Sequence, residues 1–169
     1  MAIKINQIVN EVWKPLFIKR NGVRYIILMG GRGAGRSYVA SQFALANLIS
    51  DNYFRCAIMR AVHSDIRLSL WQDLLDRIHD QGAENSIHLI NNEMTAKYGR
   101  NSINAIGFRA SSGNRSAKLK SLAGYTTVII EEAEEIGEDE FRTLDDSLRT
   151  VKGEITVVFC LNTPPKSHW

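Results

Sequence analysis

Apolar residues fall along this chain in two patterns: short continuous runs, and stripes at helical spacing. Strands buried in a sheet with helices laid against it produce that combination. Tyr25-Ile26-Ile27-Leu28-Met29 is the first run, and it passes through Gly30-Gly31-Arg32-Gly33-Ala34-Gly35-Arg36-Ser37 into a stretch where Val39, Ala40, Phe43, Ala44, Ala46 and Leu48 sit near helical spacing. A run this apolar predicts a parallel central strand buried on both faces. Residues 55–60 predict a second buried strand, then a helix capped by Ser64 or Asp65, striped by Leu70, Trp71, Leu74, Leu75 and Ile78, and ended by Gly82. Residues 126–130 and 154–161 predict two further strands, with an amphipathic helix through Phe141, Leu144 and Leu148 between them. The alternation is broken by residues 87–90, 94–98 and 102–108, whose polar turns predict short antiparallel strands. The expected fold is α/β: a mainly parallel central sheet flanked by helices, with a short antiparallel meander.

Ahead of the first strand, Ile8, Val9, Val12, Trp13, Leu16 and Phe17 recur at helical intervals around Pro15. Packing on the sheet edge is the simpler role for them; Trp13, Pro15 and Phe17 could also floor an adenine pocket.

Composition narrows the class without choosing a function. With 169 residues, 44% apolar and 23% charged, the chain suits one globular domain with a sizeable core. A formal charge of +3 is too small to argue for nucleic acid, so any such partner must be argued from where the charges lie. Cys56 and Cys160 lie in apolar runs, as buried free thiols do, and point to a reducing compartment. The four histidines have no metal-ligand spacing. No run is long enough for a membrane span and no secretory signal opens the chain, so a soluble intracellular protein is expected.

The chemistry begins at the glycines. Strand, glycine-rich turn and helix in that order let backbone N–H groups turn inward around an oxyanion, with the positive end of the helix aimed at it. Against the pattern G-x-x-x-x-G-K-[ST], Gly30, Gly35 and Ser37 fit, whereas Arg36 replaces lysine. Arginine keeps the charge but donates through a planar fork, so binding should survive the exchange better than turnover. A glycine turn with no ligand is the plain alternative, and the flanking strand and helix argue against it.

A second constellation lies at Thr126-Thr127-Val128-Ile129-Ile130, a strand that ends in Glu131-Glu132. In phosphate-loop enzymes such a strand brings one carboxylate to the Mg²⁺ shell, and a following glutamate can polarise the attacking water. The further acids Glu134, Glu135, Glu138, Asp139 and Glu140 would also suit a helix start. Asn162 ends the last strand before Thr163-Pro164-Pro165; its amide could sense phosphate or water, or merely open a proline turn. Between Lys97 and Lys120 there is no acid, and Arg100, Arg109, Arg115 and Lys118 add to the basic charge. This loop is either a solvated surface or a contact for phosphates, of DNA or of nucleotide on a neighbouring subunit.

With those residues placed, the chain resembles the N-terminal ATPase domain of the large terminase subunit, the motor that packages DNA into tailed-bacteriophage capsids. The likeness rests on residues 30–37, on Val128-Ile129-Ile130-Glu131-Glu132-Ala133-Glu134, on Lys118-Leu119-Lys120-Ser121-Leu122-Ala123-Gly124, and on Leu161-Asn162-Thr163-Pro164. It implies a P-loop NTPase of the additional-strand, catalytic-glutamate type over residues 1–169, with ATP and Mg²⁺ as cofactors. Gly30, Gly31, Arg32, Gly33, Ala34, Gly35, Arg36 and Ser37 would then bind nucleotide, and Ser37 and Glu131 would hold the metal. The resemblance casts Glu132 as base, Arg32 as a contact to the γ-phosphate, Arg36 as a phosphate ligand, and Asn162 with Thr163 as the coupling motif. Arg109 or Arg115 would be the candidate arginine finger. It also implies double-stranded DNA, a portal protein and a small terminase subunit as partners, a homo-oligomeric ring, the host cell cytoplasm as location, and a lid and nuclease domain beyond this stretch. Two other functions stay open: a nucleotide-binding assembly module with little catalysis because of Arg36, and a helicase-like or repair ATPase of the same fold.

Overall fold

The computed structural model describes residues 9–18, 22–109, 122–150 and 152–162. Seven strands, β1 (Tyr25–Met29), β2 (Arg55–Val62), β3 (His88–Ile90), β4 (Thr95–Tyr98), β5 (Asn101–Arg109), β6 (Thr127–Glu131) and β7 (Thr156–Leu161), form one sheet. Their order across it is β1-β7-β6-β2-β5-β4-β3. The first five in that order run parallel, and β4 and β3 are antiparallel to their neighbours. Period-two alternation sorts the side chains into two cores. Cys56 and Ile58 of β2 join α1 (Arg36–Ser50) and α3 (Leu70–Asp80) on one face, while Ala57 and Met59 meet α4 (Glu138–Ser147) on the other. Helices thus cover both faces, as a parallel sheet requires.

Two expectations need correction. β1 is an edge strand among the described residues, and Tyr25, Ile27 and Met29 are exposed. Two-sided burial needs elements laid over both faces, and at this edge of the sheet the face that carries Tyr25, Ile27 and Met29 is left open. The helix expected from residue 64 is two helices, α2 (His63–Ile66) and α3, with Ser69 at the start of the second. The Ser69 hydroxyl donates to the Asp65 carbonyl at 2.9 Å, a side-chain bond that competes with a continuous backbone ladder. The meander breaks the strand and helix alternation as expected, and it also continues the sheet, since β5 pairs antiparallel with β4 and parallel with β2. The lead-in is a 3-10 helix, Glu11–Phe17, with Pro15 inside it and Leu16 buried.

One glycine makes the α2 crossing possible. A Cβ at Gly107 would lie 2.6 Å from His63 Cβ and 2.8 Å from its backbone nitrogen. The close approach of α2 to β5 therefore requires glycine there.

Candidate functional site

The parallel strands end at one edge of the sheet, the place where open α/β sheets hold ligands. Met29 pairs with Leu161, Glu131 with Cys160 and Met59 with Ile130. Gly30, Asn162, Glu132 and Arg60 consequently emerge together.

The glycine loop is built by two left-handed residues, Gly33 (φ +77°) and Gly35 (φ +80°), a conformation that L side chains rarely adopt. Gly30 N–H donates to the Leu161 carbonyl at 3.4 Å and Ala34 N–H to the Gly31 carbonyl at 3.2 Å, which ties the loop to β7 and turns it back on itself. α1 starts immediately after, with Gly35 as its cap, no side-chain oxygen on its leading amides and no acid in its first turn. α4 shows the opposite arrangement: three acids in the first turn, and Glu140 accepting from Gly137 N–H at 3.1 Å. The positive end of α1 is thus left to a ligand, while that of α4 is answered by its own side chains. Residues 31–35 are exposed. Trp13, weighed above as core or adenine floor, packs against the core and donates its indole N–H to the Ala34 carbonyl at 3.1 Å, so it also braces the loop.

Ser37 and Glu131 meet although they lie far apart in sequence: Ser37 Oγ donates to Glu131 Oε1 at 2.6 Å. Glu131 is buried, and its Oε2 has no hydrogen-bond partner among the described residues. An orphaned carboxylate oxygen beside a hydroxyl is a donor set that suits a hard divalent cation. Asp73 of α3 stands near enough to feel this carboxylate: burial, then the charge of Glu131, raise its pKa above the ordinary value.

Glu132 adopts a left-handed backbone (φ +49°), an uncommon state for a non-glycine residue, and this turns its side chain onto Arg60 in an ion pair. Arg36 donates to the Gly31 carbonyl at 2.8 Å and to Asn162 Oδ1 at 2.9 Å, and Asn162 in turn is held by Glu134. Arg32 lies on the exposed crest of the loop. Arg109 is bound within its own chain, with Nε and Nη2 on the two oxygens of Glu140 at 2.8 and 2.9 Å, bonds that raise its pKa. Arg115, Lys118, Lys120 and Thr163 lie outside the described residues.

Three residues at this edge were not singled out from sequence: Arg60, Glu134 and Asp73. Arg60 had a usable signal, a charge closing the apolar run Cys56–Met59 in a strand next to the acidic one. Glu134 and Asp73 carried none, because each reads as an ordinary acid at a helix.

A groove of about 1060 Å³ lies at the other end of the strands, walled by Phe17, Ile26, Phe43, Tyr53, Phe54 and Thr127 among others, and none of residues 30–37 reaches it. Volume alone does not make it the site, since the anion-directed helix end and the paired acids are elsewhere.

A strand, a glycine loop, an uncapped helix start and a neighbouring acid-ended strand, with β7 inserted as an additional strand between β1 and β6, define a P-loop NTPase fold. Residues 23–169 match the model of the phage terminase large subunit, and the chain belongs to that family. Among solved structures, the ATPase domain of the Thermus phage P74-26 large terminase is similar at 18% identity and TM-score 0.68, over 95% of this chain and 67% of that one. The HK97 bacteriophage large terminase is similar at 10% identity and TM-score 0.70, over 92% and 33%. The large terminase of a thermophilic bacteriophage, solved in complex with ADP, is similar at 13% identity and TM-score 0.59, over 81% and 33%. The chain thus spans about a third of the length of the whole terminases it resembles. No curated protein matches it in sequence. No helix among the described residues is long and apolar enough to cross a membrane.

Proposed function

We propose that this chain binds ATP with Mg²⁺ and hydrolyses it to ADP and phosphate, driving double-stranded viral DNA into a procapsid. The observation that carries the reading is the contact of Ser37 Oγ with Glu131 Oε1 at the foot of an open, uncapped glycine loop. Loop amides and Arg36 bind the phosphates, and Arg32 meets the γ-phosphate from the loop crest. Ser37 and the unpartnered oxygen of Glu131 hold the metal, in part through water. When bound, magnesium neutralises charge on the phosphate oxygens. Glu132 orients the attacking water and takes its proton, with Arg60 holding the carboxylate through Oε2. Asn162 reports the state of the phosphates to β7. The ADP complex of the thermophilic phage terminase supports the nucleotide part of this reading. A homo-oligomeric ring on a portal protein, a small terminase subunit and the host cytoplasm complete the proposed setting. Arg109 serves a neighbour as arginine finger only after releasing Glu140.

Phosphate release from ATP tests the reading. The parent chain should turn over slowly with Mg²⁺, and Glu132→Ala should bind ATP without turning it over; full activity in that variant would remove Glu132 from the mechanism.

A second reading, a nucleotide-binding assembly module with little catalysis, is favoured by one observation: both terminal nitrogens of Arg36 already donate to protein oxygens. Near-zero parental turnover that Arg36→Lys restores would establish it.

A further inference from the structure

Arg36 stands where the loop pattern carries lysine, and its guanidinium connects two parts of the site. Nη1 donates to the Gly31 carbonyl at 2.8 Å, inside the loop, and Nη2 donates to Asn162 Oδ1 at 2.9 Å, at the end of β7. Asn162 is gripped from its other side. Its Nδ2 donates to Glu134 Oε1 at 2.5 Å and its backbone N–H donates to Glu134 Oε2 at 3.2 Å. A carboxylate only accepts and a guanidinium only donates, so this network admits one orientation of the Asn162 amide. Oxygen faces the loop and nitrogen faces Glu134.

Glu134 reaches that position because Glu132 reverses the backbone through its left-handed conformation and residues 133–135 close a 3-10 turn, which brings the chain back over β7. A guanidinium has more N–H groups than these two bonds use, and the rest remain for phosphate oxygens. A lysine ammonium is a single compact centre and lacks the planar fork that sets these donors side by side.

We propose that Glu134 is a positioning residue for nucleotide binding. By fixing the Asn162 amide it holds the Arg36 guanidinium spread across the loop mouth, so that the cation is in place before the triphosphate arrives. Less side-chain freedom is then lost on binding. Arg36, Asn162 and Glu134 form a matched set, and the carboxylate matters only while position 36 is arginine. The inference rests on reading the loop as a triphosphate site.

A double-mutant cycle on the full chain, with Mg²⁺ and ATPγS as the probe, tests it. Glu134→Ala should weaken ATPγS binding about five- to tenfold, the net scale of one hydrogen bond. In the Arg36→Lys background the same change should matter less than about twofold. Glu134→Gln, which keeps an acceptor oxygen for Asn162, should recover part of the loss and serves in place of Glu134→Ala if thermal melting shows that variant unfolded. Equal losses in both backgrounds, or no loss with Arg36 present, would overturn the inference while leaving the site intact. A parent chain that does not bind ATPγS overturns the site reading, and the inference with it.

Discussion

The Arg60 guanidinium is ion-paired with the Glu132 carboxylate at the edge where β2 and β6 end. Arg60 is only 17% exposed, and its Nε is buried without a hydrogen-bond partner among the described residues, so the pair is held in a partly desolvated position. Arg60 occupies one carboxylate oxygen, Oε2, and so restrains how the group can turn toward a water. Arg60→Met keeps the apolar stem and removes the charge. It should raise unstimulated phosphate release from ATP while ATPγS affinity stays within about twofold, the signature of a group acting on chemistry and not on binding. Lower release in this variant would mean that Arg60 assists Glu132 instead of restraining it.

Magnesium dependence should trace to Ser37 and Glu131. Glu131→Gln keeps an oxygen for the Ser37 hydroxyl but removes the charge that attracts a hard cation. ATPγS binding by calorimetry should be nearly unchanged in EDTA and should lose most of its strengthening by Mg²⁺. If magnesium strengthens binding equally in parent and variant, the metal is held elsewhere.

How far these relationships could be read in the sequence depends on their physical origin. The loop from Gly30 to Ser37 was legible because glycine, backbone amides and a helix start act locally. Glu131 and Glu132 were legible as a pair at the end of a strand. Their partners were not: Ser37 reaches Glu131 and Arg60 reaches Glu132 only because β1, β7, β6 and β2 lie side by side in that order, which periodicity does not specify. β1 was misjudged for the same reason, since Ile27 looks alike in a central strand and an edge strand. Arg109 stood out as a basic residue in an acid-free stretch, yet Glu140, from a helix far along the chain, claims it.

Packing around Gly107 yields a prediction independent of nucleotide. Gly107→Ala would place a methyl group against the His63 Cβ and backbone, and backbone cannot swing aside as a flexible side-chain tip can. Overpacking of this kind costs about 1–3 kcal/mol. Urea unfolding should show a lower midpoint with an unchanged slope. A midpoint equal to the parent's would mean that α2 is free to lift from β5.

The outer side of β1 carries the last consequence. Ile27 is 62% exposed and lies between the exposed Tyr25 and Met29, so an apolar strip runs along a strand that has one neighbour among the described residues. Unpaired backbone groups beside apolar side chains form a template for another strand, and a lysine on such an edge opposes pairing by demanding solvation. Ile27 already faces solvent, so Ile27→Lys forfeits little burial and should leave unfolding stability within about 0.5 kcal/mol. Its effect should appear instead in light scattering at rising concentration, where the parent's apparent mass climbs and the variant's stays flat. Parallel curves for the two proteins would show that this strip does not drive self-association, and that the exposed isoleucine is an ordinary surface residue.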